Sequence, residues 1–213
     1  MAEQRNITIE SIDAANPIVV TGRARTFENS VALRVRDARG VVIAEGHTTS
    51  TGEMGQHNPY RATLWIPRDP GGRVTVEALE YSAKDGSEQS LVSETRAYDV
   101  PLIGVRLFLP DANCTGVAPV TRSIPKSVAM ARLLVEALIA QPNGPFPQGS
   151  RVESVNLRDG TLTVDFNERL QNVGGSCAAQ MIRQSVTSTL QQLPSVKKVV
   201  ITAGGSEKLA LQP

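Results

Sequence analysis

The spacing of apolar and polar residues changes near Pro101. Before this proline, apolar and polar positions alternate in about seven short runs separated by turn residues, a pattern typical of β-strands. Short strands in this number are expected of an immunoglobulin-like β-sandwich. After Pro101, two longer stretches repeat apolar residues every three or four positions, as amphipathic helices do. We therefore predict two domains, an all-β immunoglobulin-like sandwich at 1–100 and an α+β domain at 101–213.

Polar turns separate the predicted strands of the first domain. Two of them, 37–40 and 84–87, are short and contain Asp and Gly, as hairpin connections do. The connection at 48–59 is longer, polar and glycine-containing, and Tyr60 and Trp65 follow it. Two interpretations of it stay open, because a long loop at the end of a sandwich is either a solvated connection or a binding loop.

The second domain is predicted to have the order β-α-β-β-α-β, with both helices on one face of a sheet. Ser123 and Pro125 are expected to start its first helix, as cap and first-turn residue, and Val128 to begin the apolar stripe of that helix. The predicted elements are a strand at 105–109, a helix at 126–141, strands at 155–157 and 161–166, a helix at 177–193 and a strand at 196–202.

The two cysteines, Cys114 and Cys177, follow the first and third strands of this domain. In a split β-α-β topology those strands are parallel neighbours, so the cysteines are expected to lie close together and a disulfide is geometrically plausible. It would stabilise the fold by about 4 kcal/mol in the chain-entropy treatment and would favour an oxidising compartment. Two alternatives stay open: a pair of buried free thiols, or a reactive Cys177 whose pKa is lowered at a helix N-terminus.

Composition is that of an ordinary globular protein, with 40% hydrophobic and 20% charged residues. Charge divides unevenly along the chain, because 1–100 holds 11 Lys and Arg against 14 Asp and Glu (net −3), whereas 101–213 holds 11 against 7 (net +4). Neither value indicates a nucleic-acid-binding surface. The two surfaces are either simply solvated, or attract one another, or the second attracts an acidic partner.

No run of about 18 apolar residues occurs, so no transmembrane helix is predicted. The start, Met1 to Gln4, lacks the basic and apolar regions of a signal peptide. Two localisations are compatible with this observation. The protein is cytoplasmic, or the chain begins after a removed signal or lipid anchor.

Residue types that carry catalysis are few and scattered. His47 and His57 lie on or beside a loop without a nearby carboxylate cluster. Asp165 and Glu168 are a possible carboxylate pair, but solvation at the end of a strand accounts for them equally well. The glycines at 174–175 precede a helix, where free N–H groups bind anions in some proteins, but they lack the spacing of a phosphate loop. We expect no catalytic residue, no metal site and no cofactor.

Several segments resemble a known domain family. Residues 103–205 resemble the GerMN domain of sporulation and germination proteins, and residues 5–100 resemble the immunoglobulin-like domain that accompanies it. In the second domain the resemblance rests on 133–138, 147–149, 152–155, 161–166, 182–190 and 194–199. In the first it rests on 20–28, 35–40, 59–60 and 84–87.

The resemblance implies a bacterial cell-envelope protein that is extracytoplasmic and often lipid-anchored. GerMN domains are similar to small ring-building domains, and no enzymatic activity is attached to the family. We therefore predict a non-enzymatic protein that binds or scaffolds other envelope proteins or associates with itself. It would not bind nucleic acid, and it would contact a membrane only through a lipid anchor missing from this chain. The alternative is an extracytoplasmic module that binds cell-wall glycan or an anionic small ligand.

Overall fold

The computed structural model describes residues 6–212, and the chain divides there into two compact units. The first unit holds the chain up to Leu102 together with Pro125–Ser127, and the second holds Ile103–Ile124 and the chain from Val128 onward. The start of the chain, Met1 to Gln4, which was interpreted above as lacking a signal peptide, lies outside the described residues.

The first unit is a sandwich of seven antiparallel strands in two sheets. One sheet has the order β1-β2-β5 and the other the order β4-β3-β6-β7. This arrangement confirms the predicted all-β immunoglobulin-like fold. The strands are β1 Ile7–Asp13, β2 Ile18–Ala24, β3 Ser30–Arg36, β4 Val42–Thr49, β5 Asn58–Leu64, β6 Arg73–Tyr81 and β7 Glu88–Ala97.

Alternating residues of the strands form the core of the sandwich. On β3, the side chains of Val31, Leu33 and Val35 are buried, whereas Ala32 and Arg34 between them point to the opposite face. Tyr60 of β5 joins the same core at 3% exposure. Because side chains point to opposite faces with a period of two, each alternating run supplies one buried row. Each buried Val or Leu contributes about 1.5–3 kcal/mol to stability.

A buried ion network covers the outer face of the four-stranded sheet. Glu77 on β6 is buried, and its carboxylate accepts hydrogen bonds from Nε of Arg34 and, at 2.9 Å, from Nε of Arg36. Arg34 also donates to Glu88 Oε2 at 2.9 Å. Burial opposes ionisation of Glu77, but hydrogen bonds from the two guanidinium groups outweigh it and hold the pKa of Glu77 below its ordinary value.

A second buried carboxylate organises the turn between β3 and β4. Asp37 accepts hydrogen bonds from the backbone N–H groups of Arg39 at 2.9 Å and Val41 at 3.0 Å, and from the Arg39 guanidinium at 3.1 Å. Burial raises the pKa of Asp37, but these donors outweigh burial, so the pKa lies below its ordinary value. The turn predicted at 37–40 is therefore fixed by a charged acceptor.

The remaining strands and helices form the α+β domain. One sheet has the order β10-β11-β12, in which β11 is antiparallel to β10 and parallel to β12. A separate two-stranded sheet pairs β8 with β9. The elements are β8 Leu102–Pro110, β9 Val117–Pro125, α1 Met130–Ile139, β10 Val152–Arg158, β11 Thr161–Phe166, α2 Ser176–Leu190 and β12 Lys198–Ala203.

The start of the first helix differs from the prediction. Val117–Pro125 is a strand, and α1 begins at Met130 rather than at residue 126. Pro125 therefore ends an edge strand, a position that tolerates proline, and does not open a helix. Val128, which was expected to belong to the inner stripe of the helix, precedes it and is fully exposed.

The first strand of this domain also lies elsewhere than predicted. The expected parallel pairing of the first and third strands is wrong, since β11 pairs with β10 and β12. The backbone of β8 instead meets side chains of α2 and the residues after it. Phe108 N–H donates to Thr189 Oγ1 at 3.0 Å, and Gln192 Nε2 donates to Arg106 O at 2.8 Å. Side chains of the helix region thus satisfy backbone groups that a neighbouring strand would otherwise bond.

Both helices bury apolar faces. In α1, Leu134 and Leu138 are buried, as are Ile182 and Val186 in α2, together with Phe166 of β11. Neither α1 nor α2, the helices among residues 6–212, has the length and apolar character needed to cross a membrane.

Candidate protein-interaction site

An apolar groove opens at the end of the α+β domain where β10 turns into β11. It has a volume of about 230 Å³, and we call it the β10 groove. Its walls come from the start of α1, from β10 and β11, and from the segment that follows α2. The lining residues used below are Ala129, Arg132, Val155, Leu157, Leu162 and Leu193.

The groove exists because the elements around it leave apolar surface uncovered. Val155 and Leu157 lie on the same face of β10, and Leu157 pairs in register with Leu162 of β11. Leu162 is buried, whereas Leu157 is 48% exposed. Val128, next to the groove-lining Ala129, is fully exposed. Contiguous exposed apolar surface of this kind is typical of protein-binding sites.

One wall of the groove is an edge strand. β10 lies at the end of the sheet order, so one side of it has no strand partner within the described chain. Arg132 of α1 donates to Val152 O at 2.6 Å and to Glu153 O at 3.2 Å, which fixes the start of β10 against the helix. The later part of the strand, from Val155 onward, is the part that lines the groove. Edge strands beside apolar pockets accept an added strand from a partner.

Three basic residues lie near the turn between β10 and β11. Arg158, Lys197 and Lys198 are exposed at this end of the sheet. The N–H groups of both lysines donate to Gly160 O, at 2.8 and 3.1 Å, which holds them beside the β10–β11 turn. Among residues 6–212, no carboxylate lies within salt-bridge distance of these three cations, although Asp159 is exposed in the turn. Because side chains alternate along a strand, Arg158, which follows Leu157, and Lys198, which pairs with Thr161, project from the sheet face opposite to the groove.

A disulfide joins Cys114 to Cys177, with the two Cα atoms 5.9 Å apart. It anchors the β8–β9 loop to the first turn of α2, and no cysteine is free within the described chain. The predicted reason for their proximity was wrong, because β8 does not pair with β11. The strand instead runs antiparallel to α2, so the loop that follows Phe108 and Pro110 arrives at the start of that helix.

The other candidate residues lie in strands and turns of the two units. His47 lies in β4 and His57 precedes β5, and no group of three or more His, Cys, Asp or Glu among residues 6–212 is placed to hold a metal ion. Asp165 accepts hydrogen bonds from Thr202 Oγ1 at 2.6 Å and from Gly205 N–H at 2.9 Å. Its contacts are those of a residue that fixes a strand end.

Tyr60 and Trp65 do not form an aromatic surface beside the loop at 48–59, which weakens its interpretation as a binding loop. Tyr60 is buried, and its hydroxyl donates to Thr8 O at 3.0 Å. Trp65 follows the opposite end of β5, about 20 Å along the strand from the loop. The glycines at 174–175 precede α2, where no side chain caps the helix, and they belong to the second unit, whereas the loop belongs to the first.

Comparison with known proteins gives two adjoining family matches. The model for the immunoglobulin-like domain of bacterial spore germination matches residues 8–87, and the model for sporulation and spore germination matches residues 106–209. No curated protein matches the chain.

Solved structures match about half of the chain. The first GerMN domain of the sporulation protein GerM from Bacillus subtilis is 30% identical, with 49% of this chain and 84% of that chain covered and a TM-score of 0.43. The tandem GerMN domains of the same protein are 28% identical, with 50% and 40% covered and a TM-score of 0.44. A putative lipoprotein from Clostridium perfringens is 16% identical, with 51% and 78% covered and a TM-score of 0.33.

The two family matches follow one another in the order in which the structure places its sandwich and its α+β domain. They confirm the resemblance found in the sequence. The chain belongs to the family of bacterial sporulation and spore germination proteins in which an immunoglobulin-like domain precedes a GerMN domain.

Proposed function

We propose that this chain is a non-enzymatic protein of the bacterial cell envelope that holds other proteins together by binding them at the β10 groove. The observation that carries the proposal is the combination of an apolar groove and an edge strand along one wall. These are the features of a site that binds an extended protein segment.

The chemistry of the groove fits binding better than catalysis. Its walls are mostly aliphatic, and the charged lining residue, Arg132, already donates to two backbone carbonyl groups of β10. Active sites gather several convergent polar groups in one pocket. The groove offers apolar surface and the unpaired backbone groups of an edge strand, and both supply affinity for an extended protein segment.

An extracytoplasmic location is supported by the disulfide. A bond between Cys114 and Cys177, across 63 positions, persists in oxidising compartments and is rare in the cytoplasm. We place the protein on the outer side of the membrane, where it binds other envelope proteins or further copies of itself. Membership of a sporulation and germination family supports a role in these processes.

Site-specific photo-cross-linking in the native envelope tests the proposal. A photoreactive amino acid replaces Leu157 in the groove or, as a matched control, Leu209, because the two leucines are 48% and 49% exposed in the same domain. We expect discrete cross-linked species from position 157 that are absent from position 209. Equal products at both positions, or none at either, would refute the groove as the binding site.

A further inference from the structure

The turn that ends β10 fixes the direction in which its backbone groups point. Asp159 and Gly160 form a two-residue turn in which both residues have positive φ, at 50° and 80°, as in the type I′ turns of tight hairpins. In such a hairpin the flanking residues, Arg158 and Thr161, exchange backbone hydrogen bonds. Every second residue before Arg158 therefore bonds to β11, and the backbone groups of the residues between them point away from β11.

The residues that point away from β11 are Val155 and Leu157. The far end of β11 has the same phase, because Phe166, an odd number of positions after Thr161, turns its carbonyl toward the β12 side and accepts from Gly204 N–H at 2.9 Å. Among residues 6–212, no backbone group outside the β10–β11 ladder bonds to Val155 or Leu157. Since the side chains of the same two residues line the β10 groove, the open backbone edge and the apolar surface coincide.

Arg132 limits the open edge to the part of β10 nearest the turn. Its guanidinium donates to Val152 O and Glu153 O, so the start of the strand is already occupied. The N–H and C=O groups of Val155 and Leu157 stay open. An edge of this length suits a short extended segment, whose main chain supplies affinity and whose alternate side chains supply specificity.

A segment added beside β10 has two faces, and each meets a different surface. Side chains on one face lie beside Val155 and Leu157 at the groove, where apolar residues fit. Side chains on the other face continue the outer surface of the sheet, beside Arg158. Arg158 is exposed, and no carboxylate among residues 6–212 lies within salt-bridge distance of it. An acidic residue directly across from Arg158 would form a cross-strand pair of opposite charge.

We propose that β10 accepts an added strand from an extended segment of another protein. The segment carries apolar side chains at alternate positions, which face the groove, and an acidic side chain between them, opposite Arg158. Its main chain bonds to the open groups of Val155 and Leu157. The inference rests on the proposed function, whose groove it uses, and it adds the binding mode and the residue pattern of the partner.

Fluorescence anisotropy with labelled synthetic peptides and the full chain tests the inference. The probe is a short peptide in which Val and Leu alternate with Ser and Glu. Its control has the same composition, with the apolar residues grouped together so that they no longer share one face of a strand. We expect saturable binding of the alternating peptide and binding of the grouped peptide that is weaker by about tenfold or more.

Two substitutions of one residue separate strand addition from apolar contact. Val155→Pro removes the N–H group that points outward and keeps an apolar side chain, a change that edge strands tolerate. Val155→Ile keeps both the N–H group and a branched apolar side chain. We expect the proline variant to bind the alternating peptide about tenfold more weakly and the isoleucine variant to bind it like the natural chain.

Reversing the charge of Arg158 gives a second test that does not depend on proline. Arg158→Glu should weaken binding of the Glu-containing peptide by about 2- to 5-fold and should favour a peptide in which Lys replaces Glu. The matched control Arg183→Glu changes an exposed arginine of α2 that does not line the groove, and it should bind both peptides like the natural chain. Circular dichroism verifies that every variant is folded.

Other outcomes overturn the inference. Strand addition is excluded by equal binding of the two peptides, by equal binding to the proline and isoleucine variants, or by no saturable binding at millimolar concentration. If no peptide binds and the natural chain self-associates in a way that Val155→Pro abolishes, a second copy is the occupant and the stated partner is wrong.

Cross-linking from position 157 separates this inference from the proposed function. If the peptide tests fail while position 157 still gives discrete products, the binding mode is wrong and the proposed function stands. If position 157 gives no specific product either, both are refuted.

Discussion

Thr189 binds the first strand of the GerMN domain through a single buried hydroxyl. Its side chain is fully buried, and Oγ1 accepts the hydrogen bond from Phe108 N–H at 3.0 Å. Thr189→Val keeps the branched shape but removes the acceptor, so a part-buried backbone N–H loses its partner. An unsatisfied group of this kind costs about 1–3 kcal/mol. We expect the variant to loosen β8 by that amount.

Ser185 supplies the matched control on the same helix. Arg106 of β8 bonds to Gln192, and Phe108, two residues further along the strand, bonds to Thr189 on the preceding turn of the helix. The next β8 residue on this side, at position 110, therefore lies toward Ser185. That position is Pro110, which has no N–H to donate. Ser185 Oγ is buried without a hydrogen-bond partner among residues 6–212. Ser185→Ala therefore removes an unsatisfied hydroxyl and favours the helix, and stability should stay equal or rise by about 1 kcal/mol.

Hydrogen exchange followed by mass spectrometry is the suitable assay. The single Trp and all three Tyr lie in 1–100, so intrinsic fluorescence does not report on the GerMN domain. Exchange of the peptide covering Leu102–Pro110 should accelerate about 5- to 150-fold in Thr189→Val, at about tenfold per 1.4 kcal/mol, and should not accelerate in Ser185→Ala. Unchanged exchange in Thr189→Val, or equal acceleration in both variants, would refute the assignment of the hydroxyl to β8.

Three further predictions concern the buried carboxylates and the disulfide. Glu77→Gln should destabilise the immunoglobulin-like domain by about 3–5 kcal/mol in urea unfolding followed by tryptophan fluorescence, because the buried carboxylate of the network is lost and two part-buried arginines lose a counter-ion. Glu94→Gln in a more exposed pair should cost under about 1 kcal/mol, and equal losses would contradict the network. The pKa values of Asp37 and Glu77 are lowered on folding. Their ionised forms therefore stabilise the folded state above an unfolded-state pKa near 4, and this stabilisation is lost as pH falls through the folded-state pKa values. Asp37→Asn should make the free energy of unfolding depend less steeply on pH in that range, and an unchanged pH profile would contradict this prediction. Replacing Cys114 and Cys177 by Ser should lower GerMN-domain stability by about 4 kcal/mol in calorimetry, and an unchanged transition would show that the bond does not stabilise the native chain.

The sandwich could be predicted from the sequence because its physical signal is local. On β3, the large apolar residues Val31, Leu33 and Val35 recur at every second position, and a strand with one buried face demands that period. The turn at 37–40 follows from the same reasoning, since Asp37 accepts the backbone N–H groups that the turn frees. Each of these elements depends on neighbours within a few residues.

The position of β8 could not be predicted in the same way, because it depends on a second buried face of α2. The prediction gave the second helix one apolar inner face, yet Ser185 and Thr189 are also fully buried. A signal existed in the sequence. Residues 184–196 contain no charged side chain, although a helix face exposed to water usually carries several. A long uncharged stretch with small hydroxyl residues indicates contact with another backbone.

The same packing explains why β10 is the strand available to a partner. β8 bonds to β9 on one side and to Thr189 and Gln192 on the other, so its edges are occupied. β9 contains Pro119, which removes a donor, and β12 begins at Lys198, a residue type that discourages strand addition. The stretch from Val155 to Leu157 carries neither feature and adjoins the apolar groove. Because one buried face of α2 bonds to β8, the edge of β8 is not available to a partner. An added strand would find both unpaired backbone groups and apolar contact at the edge of β10.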